Sequence, residues 1–215
     1  MSNDNDLLDS NFGTSATYKE YDFPITFSFK IGTLANDFVA TDAKGQTVAY
    51  VRQKMFKFKE AIMIYSNESK STLLYQINAD RIIDFNASYA FTDAKNQLIG
   101  RVGRRGMRSL WKAHYEIFDI DNKSEYRIQE ENPWAKVFDT LLCEVPLLGI
   151  FSGYLFNPKY AVTKHDGTKV ARLSKEATFL GRRFKMDKLE DLPEGDGERM
   201  LLSLMMMILL ERRRG

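Results

Sequence analysis

The sequence predicts a mainly β protein: a closed, roughly twelve-stranded antiparallel barrel around a buried hydrophobic C-terminal helix. Two observations carry that expectation. One is a three-fold internal repetition of segments that read as β-hairpins. The other is the run Met200 to Leu210, MLLSLMMMILL, apolar on every face of a helix and bracketed by Glu198 and Arg199 before it and Glu211 to Arg214 after it. A helix that is oily all round must be enclosed by protein or by lipid. Its eleven residues reach only roughly 16 Å at ~1.5 Å each, far short of the ~30 Å hydrocarbon core of a bilayer. Strands are what the rest of the chain offers to enclose it.

The hairpins come in register. FVATDAKGQTVAYV from Phe38, YAFTDAKNQLIGRV from Tyr89 and YAVTKHDGTKVARL from Tyr160 each alternate apolar and polar residues, turn, and alternate again. Gly45, Asn96 and Gly167 occupy the same turn position, where a residue at positive φ is needed. A second strand pair follows the first two hairpins: Ala61–Tyr65 with Leu73–Ile77, and Ala113–Phe118 with Glu125–Gln129. The third hairpin is followed by Thr178–Met186 and then the terminal helix. Repeated four-strand units also build propellers, but three units fall below the usual four to eight blades. A barrel with one enclosed helix fits better.

Composition agrees. With 215 residues, 44% hydrophobic and 13% aromatic, the chain can bury a substantial core. A net charge of +2 excludes a polycation, so any attraction to an anionic surface must come from local patches. The single Cys143 excludes an internal disulfide framework and fits a reducing compartment. The opening residues MSNDNDLLDS lack a basic n-region and an apolar h-region, and no lipidation motif is evident, so a cytoplasmic location is expected. Residues 1–20 are expected to be a polar, disordered tail, and residues 21–215 one barrel domain. Between the second and third units, Pro133–Phe156 is unusually apolar. Asn132 as a cap and Pro133 at the first helical position predict a helix to about Cys143, plugging a barrel end and followed by a strand. A membrane-dipping hairpin is the alternative for that segment.

The end of the chain resembles a known family. VARLSKE (Val170–Glu176), the acidic stretch DKLEDLPEGDGE (Asp187–Glu198) and RMLLSLMMMILLERRRG follow one another as they do at the end of phospholipid scramblases. The hairpins with a D-x-x-G or D-x-x-N turn are similar to those of LURP-one-related proteins, and both groups belong with the Tubby C-terminal domain. The resemblance covers the chain from about Tyr21 and implies a twelve-stranded barrel around the C-terminal helix. It also brings expectations about activity. Scramblases are calcium-responsive lipid movers with a proline-rich N-terminal region and a palmitoylated cysteine cluster, neither of which this chain has. Its acidic stretch keeps Asp187, Asp191 and Asp196 as weak candidates for binding calcium through carboxylate oxygens. Their spacing matches no defined calcium loop, and acids ahead of a helix N-terminus are ordinary dipole chemistry, so no cofactor is expected. A second acidic run from Asp119, DIDNKSEYRIQE, has Lys123 at a ligand position and Ser124 in place of glycine, and reads as a hairpin turn.

Tubby domains bind phosphoinositide head groups through surface Lys and Arg, which directs attention to basic clusters after each hairpin. The sharpest is RVGRRGMRSLWK, with Arg101, Arg104, Arg105, Arg108 and Lys112; Gly103 and Gly106 let backbone amides approach an anion, and Trp111 suits an interface. Arg182 and Arg183 extend the candidate anion site. The competing interpretation is that these are outward strand residues balanced by nearby acids. The near-neutral net charge makes nucleic acid an unexpected partner.

No sequence feature supports catalysis. His114 lies in a strand, His165 in a turn, and no G-x-S-x-G, H-E-x-x-H or paired-Cys motif occurs. The sequence is therefore expected to encode a non-enzymatic barrel binding anionic lipid head groups or other phosphate ligands at a membrane surface. A scramblase-like membrane protein that inserts Met200–Leu210 is the alternative, and a protein-interaction module without a small ligand is the third.

Overall fold

The computed structural model describes residues 21–30, 37–52, 61–80, 87–104, 114–131, 158–176 and 183–212, with side chains to 210. Twelve strands form one closed sheet: β1 (Ile25–Phe29), β2 (Phe38–Thr41), β3 (Thr47–Arg52), β4 (Ile62–Tyr65), β5 (Leu73–Asp80), β6 (Ala87–Asp93), β7 (Leu98–Arg104), β8 (His114–Phe118), β9 (Ser124–Glu130), β10 (Lys159–Thr163), β11 (Lys169–Glu176) and β12 (Arg183–Lys188). Each strand pairs antiparallel with the next in sequence, and β1 closes the barrel against β12 through Ile25↔Met186 and Phe27↔Phe184. Closure removes every free sheet edge.

Alternation places one residue of each pair on the inner wall. Phe27, Ala40, Val51, Ile64, Ile77, Phe91, Val102, Ile117, Ile128, Val162, Leu173 and Met186, one from each strand, are at most 1% exposed. The helix α1 (Asp196–Arg212) fills the space they enclose. Ten consecutive residues from Met200 to Leu209 are at most 1% exposed, which covers every face of nearly three turns. The oily segment is thus enclosed by its own strands, and its four methionines adapt to an irregular, curved wall.

Five hairpin turns share one rim, and their chemistry explains the repeats. Asp42, Asp93, Asp119 and Lys164 each pair their backbone N–H with the carbonyl four residues on, closing the turn. The fourth residue of each turn then adopts positive φ: Gly45 at 76°, Asn96 at 62°, Asn122 at 63° and Gly167 at 92°. The register slips by one residue just before each of these turns, as a bulge requires. The fifth turn, between β4 and β5, uses Lys70 at φ 58°. The loop Leu189–Gly195 leads from β12 into α1 at this same hairpin rim, where Leu189 N–H bonds the Val170 carbonyl. The six remaining connections leave the opposite rim, called here the linker rim, and fall mainly outside the described residues.

Two expectations about elements are adjusted. β1 lies in an alternating stretch, ITFSF, that the repeat pattern does not reach. Among the described residues the last strand spans Arg183–Lys188 and runs past the expected end at Met186, so Asp187 belongs to the wall and not to a loop. The expected helix after Pro133, the expected tail at residues 1–20 and Cys143 lie outside the described residues.

Candidate functional site

The basic cluster after β6 is divided by strand alternation. Arg101 is on the outer wall, where its Nε donates to Asp80 Oδ2 at 2.9 Å. Arg104 shares the inner parity of Gly100 and Val102, and its position at the end of β7 places it at the mouth of the linker rim. Its side chain is half-buried and forms no ion pair or hydrogen bond among the described residues. Arg183 opens β12 at the same rim, 3.9 Å from Glu176. Arg105, Arg108, Lys112 and Arg182 lie outside the described residues. Arg101 and Arg104 are therefore on one strand but on opposite faces of the wall.

The hairpin mouth holds a polar collar that sequence reasoning did not find. Asp196, in the first turn of α1, accepts hydrogen bonds from the Tyr126 hydroxyl and the Arg199 guanidinium. Arg199 also pairs with Glu125 at 2.9 Å and reaches the Ile99 carbonyl at 3.5 Å. Burial pushes the Glu125 carboxyl up, against the opposing pull of Arg199. On the other side, Tyr21 and Tyr75 share a hydroxyl contact at 3.5 Å, and Tyr75 also hydrogen-bonds Glu198. Burial raises all three tyrosines, Tyr21 to about 12, Tyr75 and Tyr126 further. Neutral phenols beside carboxylates are placed to donate hydrogen bonds to them. This collar positions the helix, and among its buried polar atoms Arg199 Nε has no hydrogen-bond partner among the described residues.

The three acidic candidates do not converge. Asp187 on β12 pairs with Lys185 at 2.8 Å, Asp191 in the loop pairs with Lys188 at 2.9 Å, and Asp196 is buried in the collar. Lys188 holds the Asp191 carboxyl below its usual range. Among the described residues no group of three or more His, Cys, Asp and Glu side chains is placed to hold a metal ion. His165 is in its expected turn, with Nε2 2.8 Å from the Ser124 carbonyl, tying the β10–β11 turn to β9. His114 opens β8 with Nδ1 3.5 Å from the Gln129 amide. The acidic run from Asp119 is a hairpin turn, as its sequence suggested: Asp119 Oδ1 accepts from Lys123 N–H at 2.7 Å.

The topology sorts charge between the two ends. Connections between strands at the linker rim contain ten Lys and Arg against six Asp and Glu. Those at the hairpin rim, including the loop before α1, contain five against eight. Aromatic residues divide more sharply still: ten in the linker-rim connections, Trp111 among them, and none in the hairpin-rim connections. In sequence, the connections that join strands at one rim are basic and aromatic, and those at the other are acidic and lack aromatics. No helix among the described residues is long and apolar enough to cross a membrane.

A family model described as LURP-one-related matches residues 47–190, about two thirds of the chain. No curated protein and no solved structure matches it.

Proposed function

The chain belongs to the LURP-one-related family, built on a Tubby-like barrel, and from that premise we propose that it is a non-catalytic module that docks its linker rim onto anionic lipid head groups. Its place would be the cytoplasmic face of a membrane. One observation carries this reading: ten of the fifteen Lys and Arg, and all the aromatics, of the inter-strand connections fall in the segments that join strands at one rim. Lys and Arg supply charge-assisted hydrogen bonds to phosphate, and Trp and Phe favour the head-group layer. A basic patch of this kind contributes about 1 kcal/mol per residue near an anionic leaflet. Arg104, half-buried at the mouth without a counter-ion among the described residues, is the described side chain best placed to meet a phosphate.

Scramblase-like lipid movement through an inserted Met200–Leu210 is the competing reading. It requires that segment to leave a barrel in which Met200–Leu209 has no exposed face. Co-sedimentation with vesicles separates the possibilities. The proposal expects binding to phosphatidylcholine vesicles doped with phosphatidylserine or a phosphoinositide, release by salt, and no binding to phosphatidylcholine alone. Equal binding to both, or to neither, removes it. A need for detergent during extraction would favour insertion.

A further inference from the structure

The chain ahead of β1 does not follow the wall. Tyr21 to Pro24 precede the first ladder pair, Ile25↔Met186, and turn in over the hairpin mouth. The Asp22 carbonyl accepts from the Ala43 amide at 2.9 Å, and its carboxylate from Lys44 Nζ at 2.7 Å, which ties the segment to the β2–β3 turn. Lys188 Nζ stands 5.9 Å from the centre of the Phe23 ring and also bonds Asp191, 2.9 Å away in the loop that feeds α1. Tyr21 reaches furthest: its hydroxyl lies 3.5 Å from that of Tyr75, on the inner wall of β5, four strands round from β1. Tyr75 in turn hydrogen-bonds Glu198 in the first turn of α1. Tyr21 and Phe23 both pack against the core. The segment is thus a strap laid from β1 to β5 beside the point where the helix enters.

We propose that this strap is a latch on the barrel mouth: closed, it covers the entrance of α1, and it opens without the wall unfolding. Its fastenings are weak beside those of the wall. Every strand of the barrel is paired on both sides. Among the described residues the strap is tied to the β2–β3 turn by one backbone hydrogen bond and by an ion pair whose side chains are 65% and 52% exposed. An exposed pair of this kind holds little, and a segment with few fastenings opens locally, ahead of global unfolding. The collar on the other side of the mouth anchors the helix separately, through Arg199 with Asp196 and Glu125. The helix therefore stays seated while the latch opens. Opening uncovers Tyr75 and Glu198 and, behind them, the buried run that begins at Met200. The latch is independent of the linker rim and of any head-group contact there.

The test uses the full chain, unaltered and as Y21A/F23A. Peroxide oxidation of each methionine is followed by mass spectrometry, with a thermal melt as the check on folding. Met200 lies nearest the mouth, Met207 is roughly 10 Å deeper at ~1.5 Å per residue, and Met186 is on β12; all three are at most 1% exposed. The variant is expected to oxidise Met200 at least about tenfold faster than the unaltered chain, with Met207 and Met186 unchanged and the melt still cooperative. Unchanged oxidation of Met200 in a folded variant overturns the proposal. So does equal acceleration at Met186, which would report loosening of the whole barrel. Amide hydrogen exchange of the unaltered chain gives a second measurement that needs no variant. The Ala43 amide, which bonds the strap, is expected to exchange about a hundredfold faster than the amides of the β1–β12 ladder. Equal protection of the two overturns the proposal even where the variant fails to fold.

Discussion

Arg199 lies directly across Gly100. A Cβ built on Gly100 would stand 2.5 Å from the Arg199 Cδ and 2.6 Å from the Phe118 carbonyl oxygen. The first contact is with a side chain that can shift, but the second is with backbone in the neighbouring strand β8. β7 is therefore notched at this point so that the helix can enter the barrel with a guanidinium against its wall. The glycine is required by space.

Gly100→Ala is accordingly expected to destabilise the barrel by about 1–3 kcal/mol, the usual range for overpacking. Gly197, one residue into α1, is the matched contrast. Its Cβ would meet nothing closer than Leu192 Cδ1 at 3.9 Å. Gly197→Ala is expected to be neutral or to stabilise by up to about 1 kcal/mol, because alanine restricts the unfolded chain. Urea midpoints measure both. Similar shifts for the two variants would show that the notch is not tight.

The collar depends on Arg199 more than on any other side chain. It faces the carboxylates of Asp196 and Glu125, and the side chains are 13%, 7% and 25% exposed. Arg199→Met leaves two partly buried anions without their cation, and removing one partner of a buried pair costs about 3–5 kcal/mol. Adding Glu125→Gln should recover part of that loss, since one anion is then gone. Chemical denaturation of the single and double variants checks this. A double variant no more stable than the single one would show that Glu125 is screened by water and takes no part.

The hairpin turns make a smaller, local prediction. Asp93 Oδ1 accepts hydrogen bonds from the Lys95 and Gln97 amides, both at 2.8 Å, and Asn96 holds positive φ. Asp93→Ala should cost about 1 kcal/mol by releasing both amides to water. Asn96→Ala should cost about 1–2 kcal/mol for the left-handed conformation, whereas Asn96→Gly should cost nothing or stabilise slightly. Equal melting temperatures for the Ala and Gly variants would contradict the turn geometry.

These examples show why the fold was more legible than the site. Turn chemistry is local: Asp42 with Gly45, or Asp93 with Asn96, is written within five residues, so aligning repeats recovers hairpins and their register. The enclosed helix was legible because Met200–Leu209 leaves no polar face for water. The collar could not be read in this way. Tyr126 and Asp196 are seventy residues apart, and nothing around Gly100 in sequence announces that an arginine a century of residues later will rest on it. The basic cluster failed differently. Arg101 and Arg104 look equivalent in sequence, but a separation of three along a strand reverses the face, giving one to Asp80 and the other to the mouth. A period-2 analysis of β7 would have separated them.

The tyrosines of the collar give the protein an alkaline limit. An ordinary tyrosine titrates near pH ~10. Burial lifts Tyr21 to about 12, and desolvation with the neighbouring carboxylates of Glu198 and Asp196 lifts Tyr75 and Tyr126 beyond it. The folded state thus keeps protons that the unfolded chain would release. Their contribution is complete below pH ~10 and is lost as pH rises through the folded values, at up to about 1.4 kcal/mol per pH unit for each group. Absorbance at 295 nm should therefore show the collar phenols ionising only well above pH ~10, together with collapse of the β-sheet circular dichroism. Tyr50, which burial and Asp37 raise to about 12, should ionise late as well. Tyr75→Phe removes one phenol that unfolding would ionise and should move the collapse to higher pH, at the cost of the Glu198 hydrogen bond at neutral pH. A single phase near pH 10 with the sheet intact would mean that water reaches the helix N-terminus and that the collar does not seal the barrel.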